Sequence, residues 1–319
     1  MNIVFFGTSS CALSSMEAIA GSKHKILLVV TQPDRPSGRC LKNTCTAVKK
    51  IAGSINYPVF QPDDINSLES LTELKKCNAD IFVVVSYGQI LKKSIRELPG
   101  HGAVNLHFSL LPKYRGSSPV NFALINGEKQ TGVTIFQLDK GVDTGPVLSS
   151  AAMDISPEDD ACTLFDKLCS AGAELLVKTL DDIEAGRARL TGQEHAQATH
   201  ARMLAKQDGL VDWASKAVDI HNRIRGLLPW PKAYSFLRME DKSEPLRVNF
   251  ISSRIGHDNT QSGMKPGSVI SADKDGIAVQ CGHGSLVIKK LQPENRPEMD
   301  AGAFVNGYKI KKGGSFGKE

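Results

Sequence analysis

Five short apolar runs limit the folds open to this chain: residues 2–6 (NIVFF), 26–31 (ILLVVT), 81–86 (IFVVVS), 103–106 (AVNL) and 132–138 (GVTIFQL). Runs of Val, Ile and Phe without polar alternation predict strands buried on both faces of a parallel sheet. Between them lie helical patterns at Ser10 to Gly21, Thr46 to Ala52, Asn66 to Lys75 and Gly88 to Arg96. This alternation predicts βαβ units in a Rossmann-like layered α/β domain with a mostly parallel sheet. A further strand is expected in VLSSAAMDI, after Pro146. A long helix then spans about Asp160 to Ala185, with Leu164, Leu168, Leu175, Leu176, Leu180 and Ile183 on one stripe and Gly186 as its stop. The turn Gly7-Thr8-Ser9-Ser10 has one glycine where a dinucleotide fingerprint has three, which argues against a nicotinamide cofactor.

At 319 residues the chain exceeds what one core usually serves, and its pattern changes in the last third. A helix containing Ala217, Ile220, Ile224 and Leu227 ends at Pro229-Trp230-Pro231. The runs AYSFL, LRVNFIS, GSVIS, GIAVQC and SLVIKKL follow, broken by turns. They predict a small antiparallel C-terminal β-barrel of the OB-like kind. The expected organisation is a catalytic domain over 1–188, a polar linker over 189–206 and the barrel over 207–319. Residues 207–319 hold 17 Lys and Arg against 13 Asp and Glu, so four of the five net positive charges lie there. Such a bias fits a polyanionic partner. No apolar run approaches the roughly 20 residues of a membrane span, and no basic leader precedes MNIVFFG, so a cytoplasmic location is expected. Seven scattered cysteines without a CxxC pair predict reduced thiols and no metal centre.

Asn105 and His107 stand two apart on one expected strand, so their side chains share a direction. Pro112 and a turn follow, which puts the pair at a strand's carboxyl end, where open α/β sheets bind ligands. A lone histidine there is more often a hydrogen-bonded structural residue than a catalyst. A third group shifts the balance: QLDKGVDTGPVL sets Asp139 and Asp143 in a Gly-flanked loop after the next run. An imidazole held by a carboxylate can deprotonate a nucleophile while a neighbouring amide stabilises an oxyanion. No serine in a nucleophile-elbow setting and no metal-ligand cluster competes for the role. Spacing alone leaves the catalytic and structural readings evenly balanced.

The residues themselves carry more. Asn105-x-His107-x-Ser109-Leu110-Leu111-Pro112-x-Tyr114-Arg115-Gly116, followed by Asp143-x-Gly145, resembles the motif of the 10-formyltetrahydrofolate-dependent formyltransferases. VVTQPDRPSGR and VVVSYGQIL resemble further blocks of the same enzymes. DGLVDWASKAVDIHNRIRGLLPWPKAY, with the later KPGSV, DGIAV and GSLVIKKLQPE, resembles the second domain of the members that act on methionyl-tRNA. Glycinamide ribonucleotide formyltransferase lacks that domain. The resemblance covers nearly the whole chain.

The resemblance implies transfer of the formyl group of 10-formyltetrahydrofolate, without a metal, to the α-amine of initiator methionyl-tRNA for translation initiation. Asn105, His107 and Asp143 fall on the catalytic positions. Neutral His107 takes the amine proton, Asp143 orients the ring and stabilises the imidazolium, and Asn105 donates to the developing oxyanion. Ser109, Leu110, Leu111 and Pro112 would line the folate site, with Tyr87, Gly88, Gln89, Ile90 and Leu91 near the pteridine. Arg35, Arg39 and Lys42 fall in or beside the loop that meets the tRNA acceptor end. Here the chain departs from its relatives, with Cys40-Leu41-Lys42-Asn43 where they continue with Gly and two lysines. Ser9-Ser10-Cys11 likewise replaces a Pro-acidic-aromatic run. Lys216, Arg223, Arg225, Lys289, Lys290, Lys309, Lys311 and Lys312 are candidate phosphate contacts, each adding salt-dependent affinity. The expected partners are the tRNA and the folate, with no membrane and the chain acting as a monomer. The alternatives are transfer to an amino sugar or other small amine, and RNA binding without catalysis.

Overall fold

A computed structural model describes residues 1–37, 42–239, 244–256, 264–310 and 313–318. The chain divides into two compact units. The first takes Met1–Pro119, Gln130–Asp154 and Leu164–Arg202; the second takes Val120–Lys129, Ile155–Thr163 and Met203–Glu319.

The first part of the chain runs β1 (Asn2–Gly7), α1 (Ala12–Ala20), β2 (Lys25–Val30), β3 (Arg35–Ser37), β4 (Lys42–Thr44), α2 (Ala47–Ser54) and β5 (Val59–Phe60). It continues with α3 (Leu68–Lys76), β6 (Ile81–Val85), α4 (Lys93–Arg96), β7 (Ala103–His107), α5 (Pro119–Ile125), β8 (Gln130–Gln137), β9 (Val147–Asp154) and α6 (Ala161–Glu184). The main sheet has the order β5-β2-β1-β6-β7-β8-β9. Its first five strands run parallel. The central strands β1 and β6 hold the apolar runs, and Ile3, Val4, Phe5, Phe6 and Val83 are fully buried, as burial on both faces demands. Helix starts follow local chemistry: Thr46 accepts from Lys49 N (3.1 Å) ahead of α2, and Ser67 accepts from Ser70 N (3.1 Å) ahead of α3.

Two local expectations need correction. The run 132–138 is not a parallel strand: β8 pairs antiparallel with both β7 and β9. The loop 138–146 is too short for the crossover a parallel β8–β9 pair would need. Residues 88–92 are not helical, and α4 is confined to Lys93–Arg96. Ser86 (φ 50°) and Gly88 (φ 97°) turn the chain, while Asn66 ties it down by accepting from Lys92 N (2.7 Å) and donating to Ile90 O (2.9 Å).

The second unit contains α7 (Ala217–Gly226), β10 (Ala233–Arg238), β11 (Leu246–Ile255), β12 (Val269–Asp273), β13 (Gly276–Gln280), β14 (Ser285–Pro293), β15 (Met299–Asp300), α8 (Ala301–Tyr308) and β16 (Ser315–Gly317). Its sheet runs β12-β13-β14-β11-β10-β16, with β15 on β14. The two ends meet through Val269 N to Gly314 O and Phe316 N to Gly267 O, both 2.8 Å, so the sheet curls into a barrel. Trp213 packs inside it against Phe250 (5.7 Å) and Phe316 (5.6 Å), and its Nε1 donates to Ser235 Oγ (3.0 Å). Two segments from earlier in the sequence belong to this unit. Asn121 Nδ2 donates to Gly226 O (2.7 Å), and Arg225 Nη1 donates to Asp159 O (3.1 Å). No helix among the described residues is long and apolar enough to cross a membrane. Cys11, Cys45, Cys77, Cys162, Cys169 and Cys281 are free thiols, and Cys40 lies outside the described residues.

His221 on α7 sits 3.0 Å from Ser253 Oγ through its Nδ1. Burial, helped by the Arg225 charge and opposed by Glu158, holds its pKa below the ordinary 6.5. The folded ring therefore resists a proton that the unfolded ring accepts, so its contribution is complete above the ordinary value and is lost as pH falls through it. The variant His221→Asn should lose less of its Tm than the parent chain between about pH 7.5 and about pH 5.5, followed by thermal unfolding. Equal losses would remove His221 from the acid response.

Candidate active site

β6 and β7 are parallel neighbours, so loops 86–91 and 108–118 leave the same edge of the sheet. At that edge Asn105 is half-buried and His107 is 6% exposed. The imidazole is held on one side by backbone: Nε2 lies 2.9 Å from the carbonyl oxygen of Tyr114. A carbonyl only accepts, so Nε2 carries the proton. The lone pair of the neutral ring is then on Nδ1, which faces Asp143 Oδ2 at 3.6 Å. That separation exceeds a hydrogen bond. The Tyr114 carbonyl, not the carboxylate, orients the ring. Asp143 stands opposite the nitrogen that can accept a proton.

Local sequence explains both placements. Thr134, fully buried on β8, donates to Ser109 O (2.6 Å) and accepts from Leu111 N (3.2 Å). Ser109 Oγ donates to Lys113 O (2.6 Å), and Tyr114 N donates to Thr199 Oγ1 (2.8 Å). Tyr114 itself adopts φ 59° with its side chain buried. In the β8–β9 loop Asp139, the other candidate carboxylate, is spent on the turn, accepting from Gly141 N (2.9 Å) and Thr144 Oγ1 (2.7 Å). Asp143 adopts φ 53°, a region Asp tolerates better than most residues, and its Oδ2 accepts from Gly116 N (2.7 Å). Gly145 must be glycine, because a Cβ there would collide with Gln137 O.

Residues 189–202, expected within a linker, instead lie along these loops. Thr191 exchanges two backbone hydrogen bonds with Val147 (2.8 and 2.9 Å). Arg115 N donates to Thr199 O (2.9 Å), Ala201 N to Arg115 O (2.7 Å) and Ser118 N to Ala201 O (3.2 Å). A Cβ on Gly116 would lie 2.6 Å from Ala201 O. Sequence reading did not single out Gln193, His195 and Thr199. The signal available was Arg115 inside the motif: a buried guanidinium needs acceptors, and 193–199 is rich in them.

Residues 1–180 match the family described as formyl transferase, and residues 203–309 match the formyl transferase C-terminal domain. A methionyl-tRNA formyltransferase of Citrifermentans bemidjiense is 42% identical over 319 residues, covering 100% of this chain and 97% of its own. One of Agathobacter rectalis is 40% identical over 316 residues, with 99% of each chain covered. The chain belongs to the methionyl-tRNA formyltransferase family. Among solved structures, the N-formyltransferase of Helicobacter canadensis with folinic acid and dTDP-3-aminofucose superposes with TM-score 0.63 at 19% identity, covering 90% of this chain and 98% of that one. HypX of Aquifex aeolicus with tetrahydrofolic acid gives 0.61 at 12% identity, covering 96% and 47%. At those identities the likeness is one of fold.

The residues that the formyltransferase motif points to for folate divide sharply. Tyr87 is 2% exposed, edge-on to Phe6 at 5.4 Å, and burial raises its phenol above the ordinary value. Leu91 is also buried, and the Gln89 amide is engaged with Ile65 N (2.9 Å) and Asp63 O (3.1 Å). Gly88 and Ile90 are exposed, Ile90 by 74%. Ser109 is buried, while Leu110, Leu111 and Pro112 are half-buried. Of the tRNA candidates, Arg35 and Lys216 are exposed. Arg223 donates to Asp208 O, Lys289 donates to Asp275 O, and Lys290 pairs with Glu298 at 3.2 Å. Arg39, Lys311, Lys312 and the side chain of Lys42 lie outside the described residues. The one metal-ligand grouping among the described residues, His24, Asp181 and Glu184, lies at the opposite edge of the sheet, where Lys23 Nζ already pairs with both carboxylates (3.0 and 2.9 Å).

Replacing Thr134 by Val keeps the shape and removes both hydrogen bonds to the 109–111 turn. Chemical unfolding should show a loss of about 1–3 kcal/mol. An unchanged midpoint and slope would mean the turn is held by other contacts.

Proposed function

We propose that this chain transfers the formyl group of 10-formyltetrahydrofolate to the α-amino group of initiator methionyl-tRNA. The observation that carries the reading is the His107 geometry: one ring nitrogen committed to the Tyr114 carbonyl, the other facing Asp143 at 3.6 Å. Full-length kinship with methionyl-tRNA formyltransferases supports the choice of substrates. The exposed Gly88 and Ile90 and the half-buried Leu110 to Pro112, on loops that follow two neighbouring parallel strands, would offer the apolar and main-chain surface that a flat pteridine covers.

The folate supplies a formyl carbon already bonded to a nitrogen leaving group, so the chemistry needs no metal. Nδ1 of neutral His107 has the ring's available lone pair and takes the proton of the attacking amine. The imidazolium then faces the Asp143 carboxylate, which stabilises it, while the Tyr114 carbonyl keeps the ring from turning. The imidazolium returns the proton to N10 of the folate as the bond between the formyl carbon and N10 breaks, leaving tetrahydrofolate and the formylated amine. The Asn105 amide, sharing the direction of His107, donates to the oxygen that gains charge. We assign chemistry to the first unit and the body of the tRNA to the second, with Arg35 and Lys216 as exposed phosphate contacts. The Lys290 charge is already shared with Glu298. A monomer acting in the cytoplasm fits the reading.

The test compares formyl transfer to methionyl-tRNA and to a nucleotide-linked amino sugar. Activity should be confined to the tRNA. His107→Ala should lower kcat on the order of 10²–10⁴-fold, and Asn105→Ala on the order of 10²–10³-fold, with tRNA binding retained. Preference for the amino sugar, or an undiminished rate in His107→Ala, would overturn the assignment.

A further inference from the structure

We propose that Gln193 is a positioning residue that sets Asp143 opposite His107, so that the strap 190–202 belongs to the active site rather than to connecting chain. The inference rests on the catalytic reading given above. Gln193 Nε2 donates to Asp143 O (2.9 Å) and to Gly145 O (2.7 Å), so one amide bridges the turn that carries the carboxylate. Its Oε1 accepts from Arg115 Nη2 (2.6 Å) and Nε (3.2 Å). The same Arg115 Nη2 reaches His195 Nδ1 (2.9 Å), which must present its lone pair there.

Arg115 is 5% exposed and sits between two residues that define the catalytic distance. Tyr114 before it supplies the carbonyl that orients His107, and Gly116 after it supplies the N–H that holds Asp143 Oδ2. Gln193 therefore couples the two loops: one end of its amide holds the backbone of the Asp143 turn, and the other holds the guanidinium between the two anchoring residues. The Asp143 turn needs such support. Its backbone is left-handed at 143, and residues 140–142 are exposed, so the tip of the turn gains little from burial. Only a primary amide of this length serves both ends. Glutamate would keep the acceptor for Arg115 but set an oxygen against two carbonyl oxygens, and methionine would lose both functions.

The full chain is tested by a double-mutant cycle of Gln193→Met and Asp143→Asn, assayed with methionyl-tRNA and 10-formyltetrahydrofolate. Gln193→Met should lower kcat about tenfold or more, since misplacement by about 1 Å can cost 10²-fold. Both KM values should stay within about twofold, because the strap places a catalytic group and not a substrate. In the Asp143→Asn background the same change should alter kcat by less than about twofold. Equal losses in both backgrounds, or a full rate in Gln193→Met while Asp143→Asn is slow, would overturn the inference and leave the catalytic reading standing. A full rate in Asp143→Asn would overturn both. Should Gln193→Met fail to fold, Gln193→Glu, which keeps the Arg115 acceptor but loses both donors to the Asp143 turn, must still lower kcat; full activity there is equally fatal.

Discussion

A hydrogen bond from His107 Nε2 to the carbonyl oxygen of Tyr114 decides which nitrogen of the neutral ring keeps its lone pair. Histidine has two nitrogens, and a carbonyl partner removes the ambiguity because it can only accept. The 108–118 loop and its neighbours serve that contact. Thr134 and Ser109 fold the 109–113 turn, Thr199 accepts the Tyr114 N–H, and the left-handed backbone at Tyr114 aims the carbonyl at the ring. A residue named for its side chain in the motif acts here through its backbone, while its phenol ring is buried.

Giving the ring a neutral partner on one side frees the carboxylate for the other. Had Asp143 been the orienting partner, its charge would have been engaged with an N–H before the reaction began. At 3.6 Å its gross attraction for an imidazolium would be about 5 kcal/mol in a medium typical of protein surfaces, against about 1 kcal/mol in bulk water, before desolvation is counted. In the proposed reaction this stabilisation would grow as the ring gains its proton, the kind of interaction that lowers a barrier rather than tightening binding.

The parts legible in the sequence were those whose signal is local. Unbroken Val, Ile and Phe runs marked β1, β2, β6 and β7, and the leucine stripe marked α6 within a residue or two of its ends. Asn105 and His107 could be read as a pair because strand alternation is a two-residue rule. The strap was not legible, since 189–202 has no apolar period and its order comes from backbone pairing with Arg115 and Val147, which lie far away in sequence. α8 was also missed: two of its eight residues are glycine, and it forms because Phe304 and Val305 are buried in the second unit's core. At Tyr87, which the motif resemblance places near the pteridine, the side chain itself packs against Phe6, a contact that no local pattern announces.

Formal charge is likewise a poor guide to available contacts. Residues 207–319 account for four of the five net positive charges, yet several of their cations are already donating. Arg223 and Lys289 hold backbone carbonyls, Arg225 holds two more, and Lys290 shares Glu298 with Lys232. A hydrogen bond to a carbonyl leaves the charge in place, so the long-range field that draws in a polyanion survives. It does occupy one of the three donors of a lysine or the five of an arginine and fixes where the others point, and re-aiming the group costs the bond it leaves. In this unit the cations that hold the fold and those that only face solvent are therefore partly different sets, and the exposed Lys216 is the phosphate contact the proposed function would draw from the second.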